Sequence, residues 1–203
     1  MAAPAVNTAR YVVAVVLLVS VPPSVLLWFV IHPFVGFWRR FGPGWTYAIL
    51  SVPVIAMMAG LYLARDTLLG ADLGTSIPLL ALAAACFSAG AVIARKRRRH
   101  LTQKILTGIP ELRREASNRG TLLTEGIYGK VRHPRYIEFF CWVASYACFA
   151  NYLGLYVLLV LTFPTLYLIV LLEERELRDR FGKEYTEYCR RVPRFVPRRP
   201  TRD

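Results

Sequence analysis

Three stretches of this chain, residues 11–31, 45–64 and 76–94, stay apolar for about the 20 residues a helix needs to cross a ~30 Å hydrocarbon core. A fourth, residues 136–172, is far longer. At ~1.5 Å per residue it would make roughly 55 Å of helix, too much for one crossing. Asn151, Leu153 and Gly154 lie near its middle, and Asn and Gly there supply turn chemistry. The long stretch therefore reads as a helical hairpin with arms 136–150 and 155–172, the first arm short for a full span. Only 19% of the 203 residues are charged, against about a quarter in soluble domains. The expected fold is all-α: a polytopic integral membrane protein of about five transmembrane helices, the last two a tight C-terminal hairpin, with a cytoplasmic cap. Pro22, Pro23, Pro53, Pro78 and Pro164 fall within the apolar runs, where neighbouring helices can re-satisfy the carbonyls they free.

The formal net charge of +13 is segregated. Residues 95–135 hold 12 of the 26 Lys and Arg, and residues 173–203 hold another 10. The positive-inside rule puts both segments in the cytoplasm, with the N-terminus outside and the C-terminus inside. Arg39 and Arg40 in the first loop, and Arg65 against Asp66 and Asp72 in the second, agree with that order. The first run is longer than a leader's apolar core and reads as a span. Basic blocks separated by membrane-length apolar runs argue against a nucleic-acid partner. Four Cys and three scattered His show no metal-ligand spacing, so no metal is expected. Neither phosphate-cradling loops nor a nucleophile elbow occurs.

Chemistry concentrates in the two basic segments. In the first, Gly126 and Gly129 bracket Tyr128 and allow a close, bent backbone path. Arg132-His133-Pro134-Arg135-Tyr136 follows, with Pro134 holding His133 extended where the fourth span begins. Glu138 sits two residues into that span, where an ionisable group is a site candidate by default; Arg132 or Arg135 can pair with it. The run Arg95, Lys96, Arg97, Arg98, Arg99 reads as a topology determinant touching anionic lipid. The second segment opens on Glu173 and Glu174. Leu177, Phe181, Tyr185 and Tyr188 recur at three- and four-residue spacing, so the last helix is expected to continue past the span. Glu173, four residues before Leu177, falls on that stripe and is read as facing protein. Glu174 forms an i,i+4 pair with Arg178 and is read as structural.

The ordered set from Thr121 through Tyr136, then Glu173 and Glu174, then Phe181, Gly182, Tyr185 and Tyr188, then residues 192–197, resembles the isoprenylcysteine carboxyl methyltransferase and phospholipid N-methyltransferase family. The resemblance covers roughly residues 121–197. It implies a methyltransferase core over residues 95–203 behind three N-terminal helices in residues 1–94. It also implies an S-adenosylmethionine-dependent methyltransferase acting on a lipophilic, membrane-partitioning acceptor at the cytoplasmic face. Cofactor contacts are implied for Thr121, Leu122, Leu123, Tyr128, His133, Pro134, Arg135, Tyr136 and Glu173. Arg132 and Glu138 are the candidate catalytic residues, the first as a partner for a carboxylate, the second to orient an Arg or take up the acceptor's proton. Two departures bear on the substrate. Glu138 stands where the family commonly has Gly. Ile169 stands where members that methylate prenylcysteine carboxylates have an Arg, which argues against a carboxylate acceptor. Membrane sterol reductases, which use a nicotinamide cofactor, share an Arg-His-Pro-Asn-Tyr pattern. Arg135 in place of that Asn favours the methyltransferase; a non-catalytic lipid-binding protein is the third alternative.

Overall fold

The computed structural model describes residues 4–31, 34–99 and 122–197. Its regular structure there is helical: α1 (Pro4–Ile31), α2 (Val35–Trp38), α3 (Gly42–Leu63), α4 (Arg65–Leu69), α5 (Ile77–Arg98), α6 (Pro134–Ala150), α7 (Leu153–Phe181) and α8 (Lys183–Arg191). Four of these, α1, α3, α5 and α7, are long and apolar enough to cross a membrane. The arm read from sequence as short is short: α6 has 17 residues, about 25 Å of helix. Pro22, Pro23, Pro53 and Pro164 lie inside continuous helices. Pro78 instead occupies the first turn of α5, where a missing N–H leaves nothing unsatisfied.

The core is built by α1 lying against both arms of the hairpin. Ala14, Leu17, Leu18, Val21 and Val25 of α1 meet Val143, Ala147 and Ala150 of α6 and Leu155, Leu166, Ile169 and Val170 of α7. The hairpin turn is tighter than the sequence promised. Asn151 alone takes a left-handed conformation, φ 56° and ψ 53°, and α7 resumes at Leu153. Gly154 is required by proximity: a Cβ there would lie 1.8 Å from the Leu68 carbonyl oxygen, so the start of α7 is pressed against the backbone of α4. On the other flank α5 packs along α6. Ser145 Oγ donates to the Ala83 carbonyl at 2.8 Å, and Gly90 lets the Trp142 ring approach. Outward faces carry Ile77, Val160 and Leu63 almost bare, an apolar surface suited to lipid rather than water.

The two ends of the bundle differ in kind. At one end Arg10, buried in α1, donates to the Ala150 carbonyl at 3.1 Å and pairs with Asp72. Asp72 in turn bridges to Tyr152 beside the hairpin turn. At the other end lie the last turn of α5, the start of α6, the end of α7, and the segments 122–133 and 192–197. All the candidate site residues within the described residues lie at this basic end. Thr121 lies outside them.

Candidate functional site

The site is assembled around one carboxylate. Glu174 on α7 has no exposed surface. Its Oε1 accepts from Arg132 Nη2 at 2.7 Å, from Arg132 Nε at 3.2 Å and from Arg194 Nε at 3.0 Å. Its Oε2 accepts from Arg194 Nη2 at 2.9 Å and Arg178 Nη2 at 3.0 Å. His133 Nε2 lies 3.2 Å from Oε1. A charge this deep is tolerable because it is fully paired. The cluster ties two separate pieces of chain to α7, the loop at Arg132 and His133 and the tail at Arg194. Arg132 Nη1 also donates to the carbonyls of Cys189 and Val192, at 3.0 and 2.6 Å. The backbone N–H groups of Arg132 and His133 donate to the carbonyls of Pro193 and Arg194.

Glu174, read as structural through its pair with Arg178, is the more deeply buried of the two, and Glu173, read as facing protein, is only partly so. The buried line on α7 runs Leu166, Val170, Glu174, while Glu173, four residues after the buried Ile169, is only partly buried. The stripe Leu177, Phe181, Tyr185 and Tyr188 is not the face of one helix, because the helix breaks at Gly182, where φ is 59°. Tyr185 and Tyr188 therefore belong to α8 and fold back onto Leu177 and Phe181. The predicted Glu174–Arg178 pair is present, as one of several. Glu173 keeps 27% of its side chain exposed, with its Oε2 3.5 Å from His133 Nδ1. One imidazole thus touches both carboxylates. Burial works against its charged form, but the hydrogen bonds to Glu173 and Glu174 outweigh that, and the His133 pKa stands above its ordinary value.

Segment 122–133 brings the remaining candidates in. Gly126 takes φ 61°, and a Cβ on Gly129 would sit 3.0 Å from the Thr124 carbonyl; the two glycines make the tight turn foreseen around Tyr128. The Tyr188 hydroxyl pins that turn by donating to the Tyr128 carbonyl at 2.6 Å. Burial pushes the Tyr128 phenol up to about 12, so it is a neutral donor at any ordinary pH. Arg97, Glu173, Arg135 and Glu138 all act on it electrostatically. Leu122 packs with the Tyr185 and Tyr188 cluster, and Leu123 is half-buried. Pro134 and Tyr136 are buried at the head of α6, where Tyr136 meets Trp28 edge-on at 5.7 Å. The Arg135 guanidinium lies 4.4 Å over the same indole. Tyr185, 1% exposed, has a hydroxyl without a hydrogen-bond partner among the described residues.

Glu138 is not paired with Arg132 or Arg135. Its two oxygens accept from Arg97 Nε at 2.7 Å and Nη2 at 3.1 Å. Arg97 is 6% exposed, and its Nη1 has no partner among the described residues. Sequence reading took Arg97 as one of five equivalent surface charges. The signal that distinguishes it was present: the buried positions of α5 are Ala83, Gly90, Ala94 and Arg97, spaced as one helical face.

A model of the family described as "Ergosterol biosynthesis ERG4/ERG24 family" matches residues 14–198. The chain is similar to protein-S-isoprenylcysteine O-methyltransferase B of Arabidopsis thaliana, 34% identical over 92 residues, which is 45% of this chain and 46% of that protein. The protein-S-isoprenylcysteine O-methyltransferase of Schizosaccharomyces pombe is 31% identical over 77 residues, 37% of this chain and 33% of that protein. A Delta(14)-sterol reductase of Mus musculus is 35% identical over 85 residues, 37% of this chain and 19% of that protein. The chain thus spans less than half the length of these curated relatives. No solved structure matches it.

Proposed function

The chain belongs to the ergosterol biosynthesis ERG4/ERG24 family, and within that frame, from its likeness to two isoprenylcysteine O-methyltransferases, we propose that it is an integral membrane methyltransferase. It uses S-adenosylmethionine and acts on a lipophilic acceptor that partitions into the bilayer, at the cytoplasmic face. The observation that carries this reading is the position of Glu173. It is a partly buried carboxylate, 27% exposed and 3.5 Å from a buried histidine, at the meeting point of the motif segments, while Glu174 beside it is wholly committed to holding those segments together.

The residues fit such a cofactor. S-adenosylmethionine supplies an electrophilic methyl group on a sulfonium. Glu173 binds the amino group or the ribose hydroxyls by a charge-assisted hydrogen bond. Tyr128 offers an aromatic face to a cation or to adenine and a neutral hydroxyl. The buried Tyr185 hydroxyl is a further donor available to a polar ligand. Arg132 positions rather than reacts, since its donors are spent on Glu174 and two carbonyls. Glu138, clamped by Arg97, forms a neutral pair beside Tyr128 and orients the acceptor end of the site. Ile169 is fully buried and apolar, and the buried Arg97 is already neutralised by Glu138. An anionic acceptor at that depth would lack a counter-charge, which favours an amine or a thiol.

The family match and the mouse relative favour one second reading, a nicotinamide-dependent reductase. Calorimetry on detergent-purified protein with S-adenosylhomocysteine and with NADPH separates them: binding of the first supports the methyltransferase, binding of NADPH alone the reductase. Radiolabelled methyl transfer to a prenylcysteine, a phosphatidylethanolamine and a hydrophobic thiol, run side by side, then identifies the acceptor. Base-labile label on the prenylcysteine would mean a methyl ester and end the argument against a carboxylate.

A further inference from the structure

A cavity of about 490 Å³ opens at the basic end, lined in part by Gly126, Ile127, Lys130 and Val131. Its walls are apolar: Val92 and Ile93 on α5, Ile137 on α6, Val131 from the loop and Phe195 from the tail. Three cations line it, Lys96, Arg99 and Lys130, and no acidic residue among the described residues does. The ion pairs at this end of the molecule use Arg97, Arg132, Arg178 and Arg194; among the described residues none involves Lys96, Arg99 or Lys130. All three are exposed.

The order of these groups along α5 matters. Val92 lies on the apolar, outward surface of a membrane-length helix, and 50% of it is exposed, as is much of Phe87 a turn and a half earlier. Lys96 and Arg99 stand about one and two turns beyond Val92. The cavity therefore runs from a face suited to hydrocarbon up to a cluster of cations at the helix end that form no ion pair among the described residues. Its polarity changes along the direction in which a lipid's own polarity changes, and over a comparable length.

We infer that this cavity holds a membrane phospholipid with an anionic headgroup, its phosphate on Lys96, Arg99 and Lys130 and an acyl chain against Val92, Ile93 and Ile137. Charge complementarity and the graded wall carry the inference, and it stands whichever cofactor the neighbouring site uses. A basic helix end alone attracts anionic lipid diffusely; the structure adds a walled place for one molecule.

The test is native mass spectrometry on protein extracted from bilayers of equal phosphatidylglycerol and phosphatidylcholine. The expected result is retention of one phosphatidylglycerol in at least tenfold preference. The double variant K96Q/R99Q abolishes that preference, while R95Q/R98Q, which removes the same charge from two residues that do not line this cavity, preserves it. Ile137→Trp, which fills the cavity and keeps every cation, abolishes it too; Val92→Trp serves if that variant does not fold. Equal loss in R95Q/R98Q and K96Q/R99Q would reduce the effect to diffuse attraction and overturn the site. Retention unchanged in the Trp variant would do the same. Displacement of the lipid by inorganic phosphate at equal concentration would make it an anion site without a chain and overturn it as well.

Discussion

Arg97 holds Glu138 by two hydrogen bonds, at 2.7 and 3.1 Å, across the interface between α5 and α6, with both side chains nearly out of solvent. The pair joins the end of the third long helix to the start of the hairpin, so it couples the N-terminal bundle to the candidate site. Breaking such a pair from one side strands a buried charge, which typically costs about 3–5 kcal/mol, whereas replacing both partners by apolar groups is often neutral. Arg97→Met and Glu138→Leu should each lower the thermal midpoint in detergent sharply, and the double variant should recover most of the loss. Additive losses in the double-mutant cycle would show that the two side chains do not act as a unit.

This pair also marks where the sequence could and could not be read. Apolar length and charge asymmetry made the helical bundle, the hairpin and the clustering of chemistry at the basic end legible, because those depend on composition over many residues. Partner choice depends on phase at single residues. Glu138 was picked out as anomalous, but Arg97 was lost among Arg95, Lys96, Arg98 and Arg99, although Ala83, Gly90 and Ala94 mark its face as the packed one. The depth of Glu174 is not legible from Leu177, four residues after Glu173; it follows from Leu166 and Val170, eight and four residues before Glu174. Arg194, which makes two hydrogen bonds to Glu174, is 20 residues downstream, and no local periodicity reports such a contact. Thr121 falls outside the described residues.

Two glycines at helix contacts should respond differently to the same methyl group. At Gly154 the added Cβ meets the Leu68 carbonyl oxygen at 1.8 Å and Leu69 Cα at 3.1 Å, both backbone. At Gly90 it meets the Trp142 ring at 3.3 Å, a side chain that can shift by a few tenths of an ångström. Overpacking commonly costs about 1–3 kcal/mol and sometimes more. Gly154→Ala should fall at or above the top of that range and Gly90→Ala near the bottom, measured as thermal midpoints in one detergent. Equal midpoints would mean that α4 and α7 are not in contact as described.

The adjacent carboxylates should separate binding from stability. Glu174→Gln leaves Arg132 and Arg194 facing a neutral amide in a buried site and should lower the thermal midpoint, because the tail and the loop both hang on that one side chain. Glu173→Gln should leave the midpoint nearly unchanged and weaken S-adenosylhomocysteine binding about 10- to 100-fold, the equivalent of a lost charge-assisted hydrogen bond of ~1.5–3 kcal/mol. Calorimetry and a melting curve on each variant give both readouts. A Glu173→Gln protein with wild-type affinity would remove Glu173 from the cofactor site.

His133 gives the site a pH dependence whose sign follows from its surroundings. It is buried between Glu173 and Glu174, against the Tyr136 and Phe195 rings at 5.8 and 6.1 Å. Its folded-state pKa is raised, with burial opposing the charged form and the two carboxylates prevailing. The unfolded chain titrates near the ordinary value of about 6.5. Between the two values the folded state binds the extra proton, so the stabilisation from the imidazolium is fully present below about pH 6.5 and is lost as pH rises through the folded value. The difference in thermal midpoint between the wild type and His133→Gln should therefore be largest at mildly acidic pH and shrink steadily into the alkaline range. Glu173 has the same partner, so cofactor affinity should fall over the same interval if the imidazolium helps to hold that carboxylate in place. A midpoint difference that stays constant from about pH 6 to 9 would show that His133 is neutral throughout, held by hydrogen bonds alone.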